Sequence, residues 1–125
     1  ISIATPKGFE PDRQVIKKSK MNIEIETISN PEIAIKNADV VMTDTFTSIH
    51  NIDTNREKKF LPKFQVNTSL MKKAKTNAIF MHCLPAKRGH EVTSSVIDGP
   101  QSVVWDQVEN RLHTQKALLV SLLGI

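Results

Sequence analysis

Cys83 is the only cysteine in this 125-residue chain, and it follows an apolar run, 78–81, and His82. The run has the length and composition of a buried strand, and Pro85 ends it. In open α/β sheets, ligands bind outside the carboxyl ends of the strands. The position therefore favours a chemical role for the thiol, although a free cysteine can equally pack as a small hydrophobic side chain.

Two further residues could form a site with this thiol. Asp44 follows the apolar run 38–43, so a second buried strand would deliver a carboxylate to the same edge of the sheet. Arg111 lies in the first turns of a predicted C-terminal helix, and its guanidinium suits a phosphate or a carboxylate. Together the three groups suit an anionic substrate and an amine. Taken singly, Asp44 could cap a turn and Arg111 could lie on a solvated helix face.

The elements that would position these residues alternate along the chain. Apolar or alternating segments predict strands at 1–5, 22–28, 38–43, 78–81 and 102–105. Helices are predicted at 11–20, 32–36, 58–63, 67–74, 91–97 and 106–123, with a polar loop at 45–56. This alternation predicts an α/β fold of the three-layer Rossmann-like kind, with a mostly parallel sheet and helices on both faces.

The bulk composition narrows the classes of function. The chain is 39% hydrophobic and 24% charged, with a net charge of +4 from dispersed basic residues and no tyrosine, which disfavours nucleic-acid binding. No apolar stretch approaches the roughly 20 residues of a membrane span. One cysteine excludes an internal disulfide and fits a reducing, cytoplasmic location. The histidines, cysteine and acidic residues lack metal-ligand spacing, so no metal is predicted.

The residues around Cys83 also carry a family resemblance. The segment His-Cys-Leu-Pro-Ala at 82–86 closely resembles the signature of ornithine carbamoyltransferases, whose aspartate-using relatives have proline at the position of the cysteine. Other segments resemble the same family in the same order: 3–8, 39–44, 87–93, 96–100, 102–104 and 109–119. The resemblance extends essentially from end to end and implies that 1–125 is part of a C-terminal, ornithine-binding domain.

This resemblance implies transfer of a carbamoyl group from carbamoyl phosphate to the δ-amine of ornithine, giving citrulline and phosphate without a cofactor. It implies that Cys83 contacts the ornithine side chain and the carbamoyl group, where nearby cations would lower the pKa of the thiol. The Leu84 backbone would contact the carbamoyl amide, and Arg111 would contact carbamoyl phosphate. Asp44 and Ser48 would hold the amino-acid end of ornithine.

The chain departs from the family pattern in the loop after Asp44. The family has Trp and then a Ser-Met-Gly stretch, where this chain has Phe46, Ser48, Ile49 and His50. The backbone contacts of Ile49 to ornithine could survive the loss of methionine. A histidine in place of glycine is the harsher change if the position needs a positive φ.

A second departure concerns segments that the family has and this chain lacks. They are the N-terminal domain, with its phosphate-binding Ser-Thr-Arg-Thr-Arg segment, and the first βα unit of the ornithine domain. We therefore expect a longer parent chain, an isolated chain without activity, and, by resemblance, a homotrimer or larger assembly with shared sites.

Three alternatives stay open at the level of sequence. The altered loop could indicate a carbamoyltransferase for another amine, such as putrescine or a modified ornithine. The same loop could indicate a non-catalytic paralogue that binds a partner or ligand. A nucleic-acid-binding module is the least favoured alternative, and it would show strongly salt-dependent binding.

Overall fold

The structure, a computed structural model, describes residues 1–19, 23–47 and 54–124. Two of the predicted site residues, Ser48 and Ile49, lie outside the described residues, as does His50.

Four short strands form two parallel pairs. The strands are β1 (Ser2–Ala4), β2 (Glu26–Ile28), β3 (Val40–Thr43) and β4 (Ile79–His82). Strand β1 pairs with β2, and β3 pairs with β4 so that Thr43 lies opposite His82. The parallel pairing and the alternation with helices confirm the predicted α/β class.

Six helices are described. They are α1 (Arg13–Ser19), α2 (Pro31–Ala34), α3 (Thr54–Phe60), α4 (Thr68–Met71), α5 (Ser94–Ile97) and α6 (Val104–Leu123). Asparagine caps start two of them, because the side-chain oxygens of Asn30 and Asn67 accept the N–H groups of Glu32 and Leu70 at 3.1 and 2.9 Å. Of the described helices, not even the twenty-residue α6 is apolar enough to cross a membrane.

The predicted strand at 102–105 is wrong. Phe80 donates its N–H to the Gln101 carbonyl at 2.8 Å and accepts the Val103 N–H at 3.0 Å, which makes one bridge to Ser102 and no more. Helix α6 then begins at Val104, whose side chain is fully buried. Because the Val104 side chain is buried in the core, the backbone enters α6 at this residue and the strand does not extend.

Other elements also begin at residues that differ from the predicted ones. The second strand covers only Glu26–Ile28, not the predicted 22–28, and Ile23, inside the predicted range, is exposed. The helix expected from residue 91 begins at Ser94, because Val92 forms a parallel bridge with Val66. Helix α3 begins at Thr54, inside the segment predicted as a loop. For α5, a tertiary contact decides the boundary.

Strand β4 runs through the centre of the main core. Phe80, Val92 and Val104 are fully buried there and belong to one cluster with Ile35, which follows α2, and with buried residues of β3, α4 and α5. A second cluster contains Phe46, Phe60 and neighbouring aromatic side chains. The main core therefore anchors the strand that precedes Cys83.

Among the described residues, the two strand pairs form separate sheets. A cavity of about 450 Å³ lies between them and is lined by residues 2–5 and 40–44. The side chains of Val40 and Met42, which share one face of β3, are 48% and 57% exposed. Strand β3 therefore has both an unpaired edge and an uncovered apolar face within the part of the chain that the structure describes.

Replacement of the central core residue should test this packing. Phe80→Ala removes a fully buried ring, so the free energy of unfolding should fall by about 3–5 kcal/mol. Ile33→Ala, at a position that is 53% exposed, should change it by less than about 0.5 kcal/mol. Urea unfolding followed by circular dichroism measures both, and equal effects of the two variants would contradict the assigned core.

Candidate active site

Asp44 and Cys83 meet because their strands are neighbours in register. Thr43 lies opposite His82, so the next residue of each strand emerges at the same edge. The Cys83 thiol donates a hydrogen bond to Asp44 Oδ1 at 3.3 Å, and the same oxygen accepts the Thr45 N–H at 2.7 Å. An exposed carboxylate and a half-buried thiol thus stand side by side at the carboxyl ends of β3 and β4.

Helix α6 brings a cation to this strand end. Arg111 donates from Nη1 to the carbonyl oxygen of Cys83 at 3.4 Å. Gln107, one turn earlier on the same helix face, accepts the His82 N–H through Oε1 at 2.9 Å. The two side chains hold the helix against the end of β4, and the guanidinium stands next to the thiol-bearing residue.

The turn after Cys83 has an unusual backbone. Leu84 has a φ of 54°, in the left-handed region that residues with a Cβ seldom adopt, and the bond to Pro85 is cis. The Leu84 N–H donates to His82 Nδ1 at 2.9 Å. A bound hydrogen-bond donor could contact the Leu84 backbone only at its carbonyl oxygen, and the Leu84 N–H is already engaged by His82.

A buried pair of polar side chains, His82 and Glu91, supports the turn after Cys83. His82 and Glu91 are both fully buried, with 3.3 Å between His82 Nε2 and Glu91 Oε1. Since His82 Nδ1 accepts the Leu84 N–H, the neutral ring carries its proton on Nε2, facing the carboxylate. Neither His82 Nε2 nor Glu91 Oε2 has a hydrogen-bond partner among the described residues. The two side chains are therefore close but poorly aligned for a hydrogen bond. The contribution of the pair is therefore electrostatic and positional.

The environment of the thiol opposes ionisation. Burial is the main cause that raises the pKa of Cys83, and the hydrogen bond to Asp44 and its negative charge raise it further. Arg111 lowers the pKa, but its effect is smaller. The expected lowering of this pKa is therefore wrong in its net direction, because burial and the Asp44 carboxylate together outweigh the effect of Arg111.

One group of possible metal ligands exists among the described residues. Ligand atoms of Asp44, His82 and Cys83 all lie within 4.8 Å of one another. His82 Nδ1 is already the acceptor for the Leu84 N–H, and the thiol and carboxylate bond to each other. The arrangement therefore offers two readily available donors, fewer than the three protein ligands typical of a catalytic zinc site.

A protein-family model describes the same stretch of chain. Residues 1–122 match the Asp/Orn binding domain of aspartate/ornithine carbamoyltransferases. This chain belongs to that family. The match includes the ends of both strands and the helix that carries Arg111, so the candidate site lies within the matched residues.

Individual relatives agree with the family match. An ornithine carbamoyltransferase of Cenarchaeum symbiosum is 60% identical over 122 residues, covering 98% of this chain and 40% of that protein. The solved ornithine carbamoyltransferase of Pyrococcus furiosus is 50% identical with a TM-score of 0.86, covering 95% of this chain and 40% of that one. The anabolic enzyme of Campylobacter jejuni is 32% identical with a TM-score of 0.89, covering 100% and 43%. The chain thus spans about 40% of the length of these relatives.

Four of the predicted site residues come together, and the rest lie outside the described residues. Asp44, Cys83, Leu84 and Arg111 meet at the strand ends. Several supporting residues were missed: Thr47, Lys87, Glu91 and Gln107. Of these residues, only Gln107 could have been found from the sequence, because it precedes Arg111 by four residues on a predicted helix and so shares its face.

The raised thiol pKa gives a direct test of the charges at the site. A higher pKa means less thiolate near neutral pH, so Asp44→Asn should increase the thiolate fraction and speed iodoacetamide alkylation of Cys83 about threefold or more. Arg111→Gln should slow it, because a cation is lost. Mass spectrometry of the peptide that contains Cys83 measures the rates. Asp39→Asn, at an exposed residue paired with Lys75, is the control, and slower alkylation in Asp44→Asn would contradict the assigned contact.

Proposed function

We propose that residues 1–125 are part of the ornithine-binding domain of an enzyme that transfers the carbamoyl group of carbamoyl phosphate to the δ-amine of L-ornithine. The products are L-citrulline and phosphate. The observation that carries this proposal is the convergence of a thiol, a carboxylate and a guanidinium. The Cys83 sulfur lies 3.3 Å from Asp44 Oδ1, and the Cys83 carbonyl oxygen lies 3.4 Å from Arg111 Nη1. The names of the relatives support the same reaction.

The side chains suit the charges of the two substrates. In the reaction the neutral amine attacks the carbamoyl carbon, the new N–C bond forms, and the C–O bond to phosphate breaks. Phosphate leaves with the bonding electrons, and the amine loses a proton. Arg111 would neutralise the phosphate, and Asp44, with Ser48 and the Ile49 backbone, would hold the amino-acid end of ornithine. No cofactor takes part.

The turn after β4 would orient the carbamoyl group. Its amide N–H groups are hydrogen-bond donors, and the Leu84 carbonyl oxygen is the backbone acceptor for them at this position. The raised pKa of Cys83 keeps the thiol protonated near neutral pH. A protonated thiol is a poor nucleophile, so Cys83 would orient the amine and the carbamoyl group and would not form a covalent intermediate.

The gap between the strand pairs supports a larger domain. We propose that a further parallel strand of a longer protein lies between β1 and β3, paired with both, in the order β2, β1, added strand, β3, β4. The order of strands would then reverse beside β3, and ligands bind at such reversal points, at the carboxyl ends of the strands. Asp44 stands at that place.

The whole enzyme would contain more than this domain. We propose that the N-terminal domain of the same parent chain binds carbamoyl phosphate jointly with Arg111, and that the protein is a homotrimer or a larger assembly. The unpaired thiol of Cys83 agrees with a cytoplasmic location.

The isolated chain should differ from the full-length protein in two ways. It should self-associate, because β1 and β3 present unpaired edges and β3 an apolar face, and it should form no citrulline. Light scattering and a colorimetric citrulline assay measure these properties, with the full-length protein as the positive control. A monodisperse and active isolated chain would contradict both the added strand and the need for a second domain.

Steady-state kinetics of the full-length protein would test the substrate assignment. Asp44→Asn should raise the KM for ornithine about tenfold or more, because it removes the charge that pairs with the ammonium group. Asp39→Asn should leave the KM within about twofold, since its carboxylate pairs with Lys75 on the surface.

The same assay separates the alternatives. Carbamoylation of putrescine or a modified ornithine, with none of ornithine, would replace the proposed substrate. Failure with all three amines would favour the non-catalytic paralogue.

A further inference from the structure

We propose that Lys87 is a positioning residue for the amine substrate: its side chain fastens the loop after β3 to the turn after β4. The proposal rests on the proposed carbamoyl transfer for its kinetic consequence. Its structural basis is independent of that reaction, because it is a contact between two loops that start at Asp44 and Cys83.

The contact joins residues that are forty positions apart in sequence. Lys87 Nζ donates a hydrogen bond to Thr47 Oγ1 at 3.0 Å. Thr47 is only 2% exposed, and Lys87 is half-buried, so the bond is shielded from water more than a surface contact would be. A hydrogen bond from a charged donor is among the stronger ones in such a setting.

The backbone of Lys87 belongs to the support of the Cys83 turn. Its N–H donates to Glu91 Oε1 at 2.5 Å, and Glu91 lies against His82, whose Nδ1 accepts the Leu84 N–H. Lys87 is therefore fixed to the Cys83 turn through its main chain and to the loop after Asp44 through its side chain.

The loop after β3 is held from a second side as well. Arg56 donates from Nε to the Phe46 carbonyl at 2.7 Å and lies over the ring of Phe60. Arg56 fixes the loop to the aromatic cluster, whereas Lys87 fixes it to the Cys83 turn. The β3–β4 register sets the distance between Asp44 and Cys83, and Lys87 in addition fixes the loop that follows Asp44 relative to the Cys83 turn. The position of Arg111 depends instead on Gln107 and α6.

This separation predicts an unequal effect on the two substrates. In the full-length protein, Lys87→Met should raise the KM for ornithine about tenfold and leave the KM for carbamoyl phosphate within about twofold. Thr47→Val removes the acceptor of the same bond, so it should have a similar effect. The double variant should be no worse than either single variant, because both remove one interaction.

Conservative and matched controls separate positioning from a loss of folding. Lys87→Arg keeps a charged donor and should restore most of the affinity for ornithine. Lys36→Met, at an exposed lysine after α2, should leave both KM values and the melting temperature unchanged. Additive effects of Lys87→Met and Thr47→Val, or equal rises in both KM values, would overturn the proposal.

Hydrogen exchange gives a readout that does not depend on the reaction. Amides at 45–47 should exchange about tenfold faster in Lys87→Met than in the unaltered full-length protein, with no change in α6. Unchanged exchange at 45–47 would overturn the proposed role of the Lys87–Thr47 hydrogen bond in holding this loop. If the unaltered protein makes no citrulline while exchange changes as expected, the proposed reaction fails and the Lys87–Thr47 contact stands.

Discussion

The parallel register between β3 and β4 is the constraint on which the candidate site depends. With Thr43 opposite His82, Asp44 and Cys83 become neighbours as soon as the strands end. A slip of one residue would turn each following side chain to the opposite face and separate the carboxylate from the thiol. The register is held by the burial of Phe80 in the core, so the chemistry at the edge depends on packing beneath it.

The polar groups under the Cys83 turn form a second layer of support. His82 and Glu91 are fully buried, and such groups are tolerated only when partners compensate for their loss of water. Here the compensation comes from main-chain N–H groups: Leu84 donates to His82, and Lys87 donates to Glu91. His82 and Glu91 thereby hold Leu84 in a left-handed backbone conformation, which a leucine rarely adopts by itself.

Electrostatics at the site follow from this placement. The carboxylate lies within hydrogen-bond distance of the sulfur, while the guanidinium of Arg111 contacts the main chain of Cys83. The nearest charge therefore opposes thiolate formation, and burial acts in the same direction. A site with a neutral thiol, an anion and a cation suits a polar reaction between a charged amino acid and a phosphate-bearing donor.

Sequence patterns by themselves determined the class of the fold, most of the helices and strands, and Asp44, Cys83 and Arg111 as candidates, while Leu84 was a candidate through the family resemblance alone. They could do so because strand ends and helix faces are local patterns: an apolar run, a proline, an asparagine cap. Only the tertiary structure decided that α6 begins at Val104, inside the segment predicted as a strand, that β1 and β3 do not pair with each other in the described part of the chain, and that Cys83 resists ionisation. Each of these depends on contacts between distant segments, and Lys87 with Thr47 is the clearest case, since no local pattern links residues forty positions apart.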